Sequence, residues 1–142
     1  MIILAIEAGL NELSFRSSLL SDIANWQPHG VYYSPWRERL NKIIETSKSG
    51  KIYLAQSGVL KDSTESQTIK TARYFYSMFL LGANNNSYFY FSKNYRGVTY
   101  FPEWDVDIGS PIEDYHARTG TPLYEREYSK GLVLINPSTE SV

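Results

Sequence analysis

The sequence predicts an α/β fold, the C-terminal portion of a (β/α) barrel with three parallel strands and two helices, followed by a small antiparallel β unit. Three observations predict it. Short continuous apolar runs at 2–6, 51–56 and 87–91 have the pattern of strands buried on both faces. Two segments of helical spacing separate them, giving two successive strand-helix-strand units with parallel strands. Finally, a charged strand, a tight Lys130-Gly131 turn and the aliphatic run Leu132-Val133-Leu134-Ile135 read as a closing β-hairpin.

Each element has its own justification. Ile2 to Ile6 lacks the basic start and small-residue cleavage site of a leader, and reads as a strand. Between 14 and 34, Ser14 could cap a short helix through Leu20, while Pro28, Gly30 and the Tyr32-Tyr33 pair argue for a long loop. Ser34-Pro35-Trp36 starts a helix, with serine as cap and proline at the first helical position. Leu40, Ile43 and Ile44 form its apolar stripe, and Gly50 ends it. The strand from Lys51 is expected to stop at Ser57-Gly58. A long helix from about Ser66 to Leu81, halted by Gly82, carries Ile69, Ala72, Phe75, Phe79 and Leu80 near one face, widened by Tyr74, Met78 and Leu81. Such a helix should be largely buried. Asn84-Asn85-Asn86 is a turn before the aromatic strand at 87–91, and 99–101 is expected to add a strand to the C-terminal unit. In Glu125-Arg126-Glu127 the two glutamates share one face of a strand and Arg126 points with Tyr124 and Tyr128 to the other, so the charges are expected to form cross-strand pairs.

A chain of 142 residues suffices for one domain with a real core but not for two of ordinary size. A net charge of -1 gives no general attraction to nucleic acid or to an anionic membrane, and no apolar run reaches the roughly 18 residues of a membrane span. The expected partners therefore include neither. With no cysteine, disulfides and thiolate metal sites are excluded, and the compartment stays open. Aromatic content of 15%, with 12 Tyr and 3 Trp, supplies flat amphipathic surface for a core or for stacking on sugars.

Three parallel strands alone would leave two unpaired edges and an uncovered apolar face. Self-association, another chain or a missing N-terminal barrel half would complete the sheet. On this reading residues 1–92 are the last three strands of a barrel, and 93–142 a hairpin subdomain packed on it.

The combination Ala72-Arg73-Tyr74-Phe75-Tyr76, Leu80-Leu81-Gly82, Ser87-Tyr88-Phe89-Tyr90-Phe91, Trp104-Asp105-Val106-Asp107-Ile108-Gly109-Ser110-Pro111, Tyr124-Glu125-Arg126-Glu127-Tyr128 and Gly131-Leu132-Val133-Leu134-Ile135-Asn136-Pro137 resembles the C-terminal part of glycoside-hydrolase-like TIM-barrel proteins. It covers approximately residues 51–137. The resemblance implies that the chain is a fragment, that the intact parent hydrolyses a carbohydrate, and that the fragment alone is inactive. The alternative is a non-catalytic carbohydrate-binding or partner-dependent structural protein.

In such a barrel the strand ends form the active-site mouth. Glu7, directly after the first strand, is the candidate nucleophile or general acid, because glycosidases need a carboxylate pair across the scissile bond. It could equally cap the strand or pair with Arg16 or Arg37. Glu12 is the second acidic candidate. Trp26, Tyr33 and Trp36, with Tyr32 beside them, could build a sugar platform or pack under their own loop, and Gln56 follows the second strand as a substrate contact. Arg37 could orient a substrate or pair with Glu45.

No cofactor motif and no metal-ligand spacing is present. Asp105 and Asp107 are two carboxylates without further ligands, better suited to bonding the backbone of the Gly109-Ser110-Pro111 turn. His29 and His116 stand alone in the sequence, and Asn85-Asn86-Ser87 matches a glycosylation sequon.

Overall fold

The computed structural model describes residues 2–7, 16–17, 36–59, 62–93 and 96–137. In chain order these form β1 (Ile2–Glu7), β2 (Arg16–Ser17), α1 (Trp36–Lys48), β3 (Tyr53–Val59), α2 (Glu65–Gly82), β4 (Ser87–Lys93), a 3-10 turn (Pro102–Asp105), β5 (His116–Ala117), β6 (Tyr124–Tyr128) and β7 (Gly131–Asn136).

The barrel expectation is corrected by the pairing. The strands form two open sheets, one of four in the order β1-β7-β6-β5 and one of three in the order β2-β3-β4, and neither closes. β3 and β4 are parallel and adjacent, joined through α2. β1, however, does not join them. It runs parallel to β7, from Ile2 opposite Gly131 to Glu7 opposite Asn136. Two apolar strands can satisfy each other's backbone groups at any distance in sequence, and here the first run of the chain pairs with the last. The ending thus belongs to a TIM barrel neither in sheet closure nor in strand order, and β6–β7 extends the sheet of β1 rather than forming a separate unit.

Local chemistry explains the helices. Thr64 caps α2 with a reciprocal box, its hydroxyl accepting from the Gln67 amide at 3.2 Å while the Gln67 side chain accepts from the Thr64 amide at 2.8 Å. α2 then supplies residues to two clusters. Phe75, Met78, Phe79, Leu80 and Leu81 pack with Leu40 and Ile43 of α1, Tyr53 and Ala55 of β3, Tyr128 of β6, and Val133 and Ile135 of β7. Ala72 packs with Val59, Phe91 and Phe101. Contact with both sheets is why the apolar face of α2 is so wide.

Three boundaries differ from expectation. Ser57 and Gly58 lie inside β3 rather than ending it, because Gly58 pairs with Ser92 of β4 and each backbone approaches the other closely. Residues 99–101 form no strand: the Thr99 amide donates to the Phe91 carbonyl at 2.9 Å and the chain enters the 3-10 turn. Within 14–34 the described pair Arg16–Ser17 is strand, antiparallel to β3, and the rest of that stretch lies outside the described residues. On β3 and β4 the register partners Leu54 and Tyr88 are 57% and 56% exposed, so one face of this sheet is open.

Candidate functional site

Gln56 is the one sequence-predicted site residue whose side chain falls within the description. It sits half-buried in β3, opposite Arg16 of β2 and Tyr90 of β4. Beside it, the hydroxyls of Ser57 and Ser92 are buried without a hydrogen-bond partner among the described residues. Glu7 closes β1 in register with the buried Asn136 of β7, and Trp36 is the first residue of α1. The side chains of Glu7 and Trp36, and residues Glu12, Trp26 and Tyr33 altogether, lie outside the description. Glu7 and Gln56 stand on different sheets, so no strand register brings them together. Arg37 lies with its guanidinium carbon 5.1 Å from the centroid of the Tyr124 ring, tying α1 to β6 by a cation–π contact.

The carboxylates of the closing segment are occupied with structure. Asp107 accepts from the Gly109 amide at 3.0 Å and from Lys130, contacts that hold its carboxyl below the usual range, the lysine bond first. Gly109 has φ +81°, and a side chain there would also meet the Ser129 hydroxyl, so glycine is required. The turn docks on the β6–β7 hairpin through Ser129 N–H to the Ser110 carbonyl at 2.8 Å and Lys130 N–H to the Ile108 carbonyl at 3.0 Å. Asp105 accepts from the Tyr100 hydroxyl, and Glu103 pairs with Arg73. Among the described residues no group of His, Asp and Glu could hold a metal ion.

A cleft of about 720 Å³ lies along β5, β6 and the start of β7. Antiparallel pairing sets His116 directly opposite Glu125. The imidazole Nε2 is 3.1 Å from Glu125 Oε1, its Nδ1 is 3.3 Å from Glu113 Oε1, and Arg118 donates to Glu125 Oε2 at 3.2 Å. Glu127, Lys130 and Leu132 continue the lining toward the hairpin turn. Glu113, His116, Glu125 and Arg118 thus form a chain of contacts, each of 3.1 to 3.3 Å. In the sequence His116 stands alone, since its partners are three residues before and nine after it, and only the β5–β6 register joins them. The alternating face of Glu125 and Glu127 was the available signal.

Arg126 faces the other way. It is 4% exposed and belongs to the core rather than to a cross-strand charge pair.

The family model described as hypothetical glycosyl hydrolase family 15 matches residues 19–132. The chain belongs to this family. The match to hypothetical glycosyl hydrolase family 15 runs from before α1 into β7, so it includes Trp26, Tyr33, Trp36, Gln56 and the whole cleft, while Glu7 and Glu12 precede it. No curated protein matches the chain. Among the described residues no helix is long and apolar enough to cross a membrane.

Proposed function

We propose that this member of hypothetical glycosyl hydrolase family 15 serves the hydrolysis of a glycosidic bond in a carbohydrate. The observation that carries the reading is the family match across residues 19–132. Glu7 supplies one carboxylate, as nucleophile or as general acid, from the end of parallel strand β1. Glu12 is the second acidic candidate. Trp26, Tyr33 and Trp36 offer rings for a sugar to stack on, and the Gln56 amide can both donate to and accept from a hydroxyl. Hydrolysis needs a second carboxylate across the bond. In this account the chain by itself is inactive, and activity belongs to an intact protein that carries it.

The test is release of reducing sugar from neutral polysaccharides by the intact protein, with and without Glu7→Gln. Loss of turnover with unchanged melting supports the assignment, and full activity in the variant removes Glu7 from it.

A second reading is favoured by the exposed pair Leu54 and Tyr88. In it the chain binds carbohydrate or a second chain without chemistry, and the open face of β3–β4 is completed by association. A melting temperature that rises with protein concentration supports this reading, and a concentration-independent one excludes association.

A further inference from the structure

The lining of the cleft along β5, β6 and β7 has a definite chemical character. Glu113, Glu125 and Glu127 stand against Arg118, Lys130 and the imidazole of His116. An anionic ligand would meet the three carboxylates and a cationic one would meet Arg118, Lys130 being paired with Asp107 outside the lining, so a full charge of either sign is opposed at some point along the row. A neutral polyol is not. Each hydroxyl donates to one group and accepts from another, and the row sets carboxylates beside nitrogen groups, with the His116 ring between Glu113 and Glu125 and the Arg118 guanidinium beside Glu125. Glu125 spends one bond on each oxygen, and a carboxylate oxygen can take two, while Arg118 commits one nitrogen of its fork. Glu127 is exposed and takes part in no ion pair among the described residues. Half-exposed Leu132, next to Gly131, provides an apolar strip for the C–H face of a sugar ring. The volume, about 720 Å³, lies within the range of small-molecule sites.

We infer that this cleft binds a neutral oligosaccharide, with Glu125, Arg118 and Glu127 as the hydrogen-bonding residues. The inference deepens the carbohydrate reading and rests on it for the class of ligand. Strand register also relates the cleft to Glu7. Glu125 lies opposite Leu134, and Leu134 opposite Ala5, so Glu7 stands two strands across and two residues along from Glu125. With strands about 4.8 Å apart and about 3.3 Å per residue, their backbones are roughly 12 Å apart, within reach of one oligosaccharide chain.

The experiment is a titration of the chain, followed by amide chemical shifts, with neutral pentasaccharides of β-1,4-glucose, α-1,4-glucose, xylose and mannose. Oligogalacturonate and oligoglucosamine serve as the charged comparisons. At least one neutral probe should shift the amides of residues 113–118, 125–127 and 132. Glu125→Gln and Arg118→Ala should each weaken it about tenfold. Because those variants break ion pairs, Glu127→Gln is the second probe, and it should weaken binding without any loss of melting temperature. The inference is overturned if no neutral probe binds, if the shifts fall elsewhere, if Glu127→Gln and Glu125→Gln bind as wild type, or if a charged oligomer binds as tightly. The titration is independent of turnover. Unchanged affinity in the cleft variants alongside an inactive Glu7→Gln protein removes the cleft and leaves the hydrolase reading, while cleft binding alongside full activity of Glu7→Gln removes Glu7 and leaves the cleft.

Discussion

The Arg126 guanidinium is hydrogen-bonded to the carbonyl of Ala83, just past the C-terminus of α2, with Nη1 donating at 2.8 Å. The same nitrogen reaches the carbonyls of Leu80 and Leu81 at 3.2 and 3.1 Å, and Nε donates to the Glu113 carbonyl at 2.8 Å. The last carbonyls of a helix have no partner within it and carry its negative dipole end. A strand residue of β6 thus caps the helix, and the Tyr128 hydroxyl adds a bond to the Leu80 carbonyl.

Replacing Arg126 should therefore cost more than any surface charge change. Arg126→Met leaves several buried carbonyls unpaired and should lower stability by about 3 kcal/mol, roughly 10 °C in Tm. Arg126→Lys should recover little, because an ammonium lacks the planar fork that serves four carbonyls. Urea denaturation of the three proteins checks this, and a loss under about 1 kcal/mol in Arg126→Met would refute the capping role.

Two glycines of close approach should respond differently to alanine. At Gly58 a Cβ would lie 2.4 Å from the backbone carbonyl oxygen of Ser92, and neither strand can yield without breaking the β3–β4 ladder. At Gly82 it would lie 2.6 Å from Leu40 Cδ1, a flexible methyl, and a helical alanine recovers up to about 1 kcal/mol of propensity. Gly58→Ala should lose about 1–3 kcal/mol and Gly82→Ala clearly less. Thermal melts of the two variants decide it, the reverse order being the contrary result.

Alkaline pH should unfold the protein through its buried tyrosines. Burial pushes the Tyr74 hydroxyl up to about 12, and it raises Tyr76 and Tyr128 as well. In the unfolded chain tyrosine ionises near 10. Between about pH 10 and 12 the unfolded state gives up a proton that folded Tyr74 keeps, so stability is complete below pH 10 and falls above it. Tyr74 contributes a slope of at most about 1.4 kcal/mol per pH unit, and Tyr76 and Tyr128 add to the fall in the same direction. Urea midpoints from pH 8 to 11.5 should show the fall, and Tyr74→Phe should make it shallower. A slope that Tyr74→Phe leaves unchanged would contradict the assignment.

The local elements were legible because their signals are local. Gly50 follows the end of α1, Gly82 ends α2, and the β6–β7 turn falls on Ser129-Lys130, one residue before the expected Lys130-Gly131. Asp107 bonding the Gly109 amide is likewise a turn that its own neighbours dictate. The sheet order was not legible. β1 and β7 are separated by most of the chain, and an apolar run such as Ile2 to Ile6 declares that it is buried without declaring its partner. Arg126 differs for a related reason: alternation places it opposite the glutamates correctly, but three of its carbonyl partners lie at the end of α2, more than forty residues away, and the fourth is that of Glu113. The cleft shares this limit, since His116 gains its meaning only from the strand opposite. Of the candidate site, Gln56 and the Glu7 position are placed by the structure, and they fall on separate sheets.

The most direct measurement of the central claim is hydrolysis of neutral polysaccharides by the intact protein, comparing wild type with Glu7→Gln and with Thr64→Ala as a stability control. Loss of the capping box in Thr64→Ala lowers stability by about 1 kcal/mol without touching a carboxylate of the site. Wild type and Thr64→Ala should release reducing sugar and Glu7→Gln none. Equal release by all three would contradict the role of Glu7, and no release by wild type from any neutral polysaccharide would contradict the carbohydrate hydrolase itself.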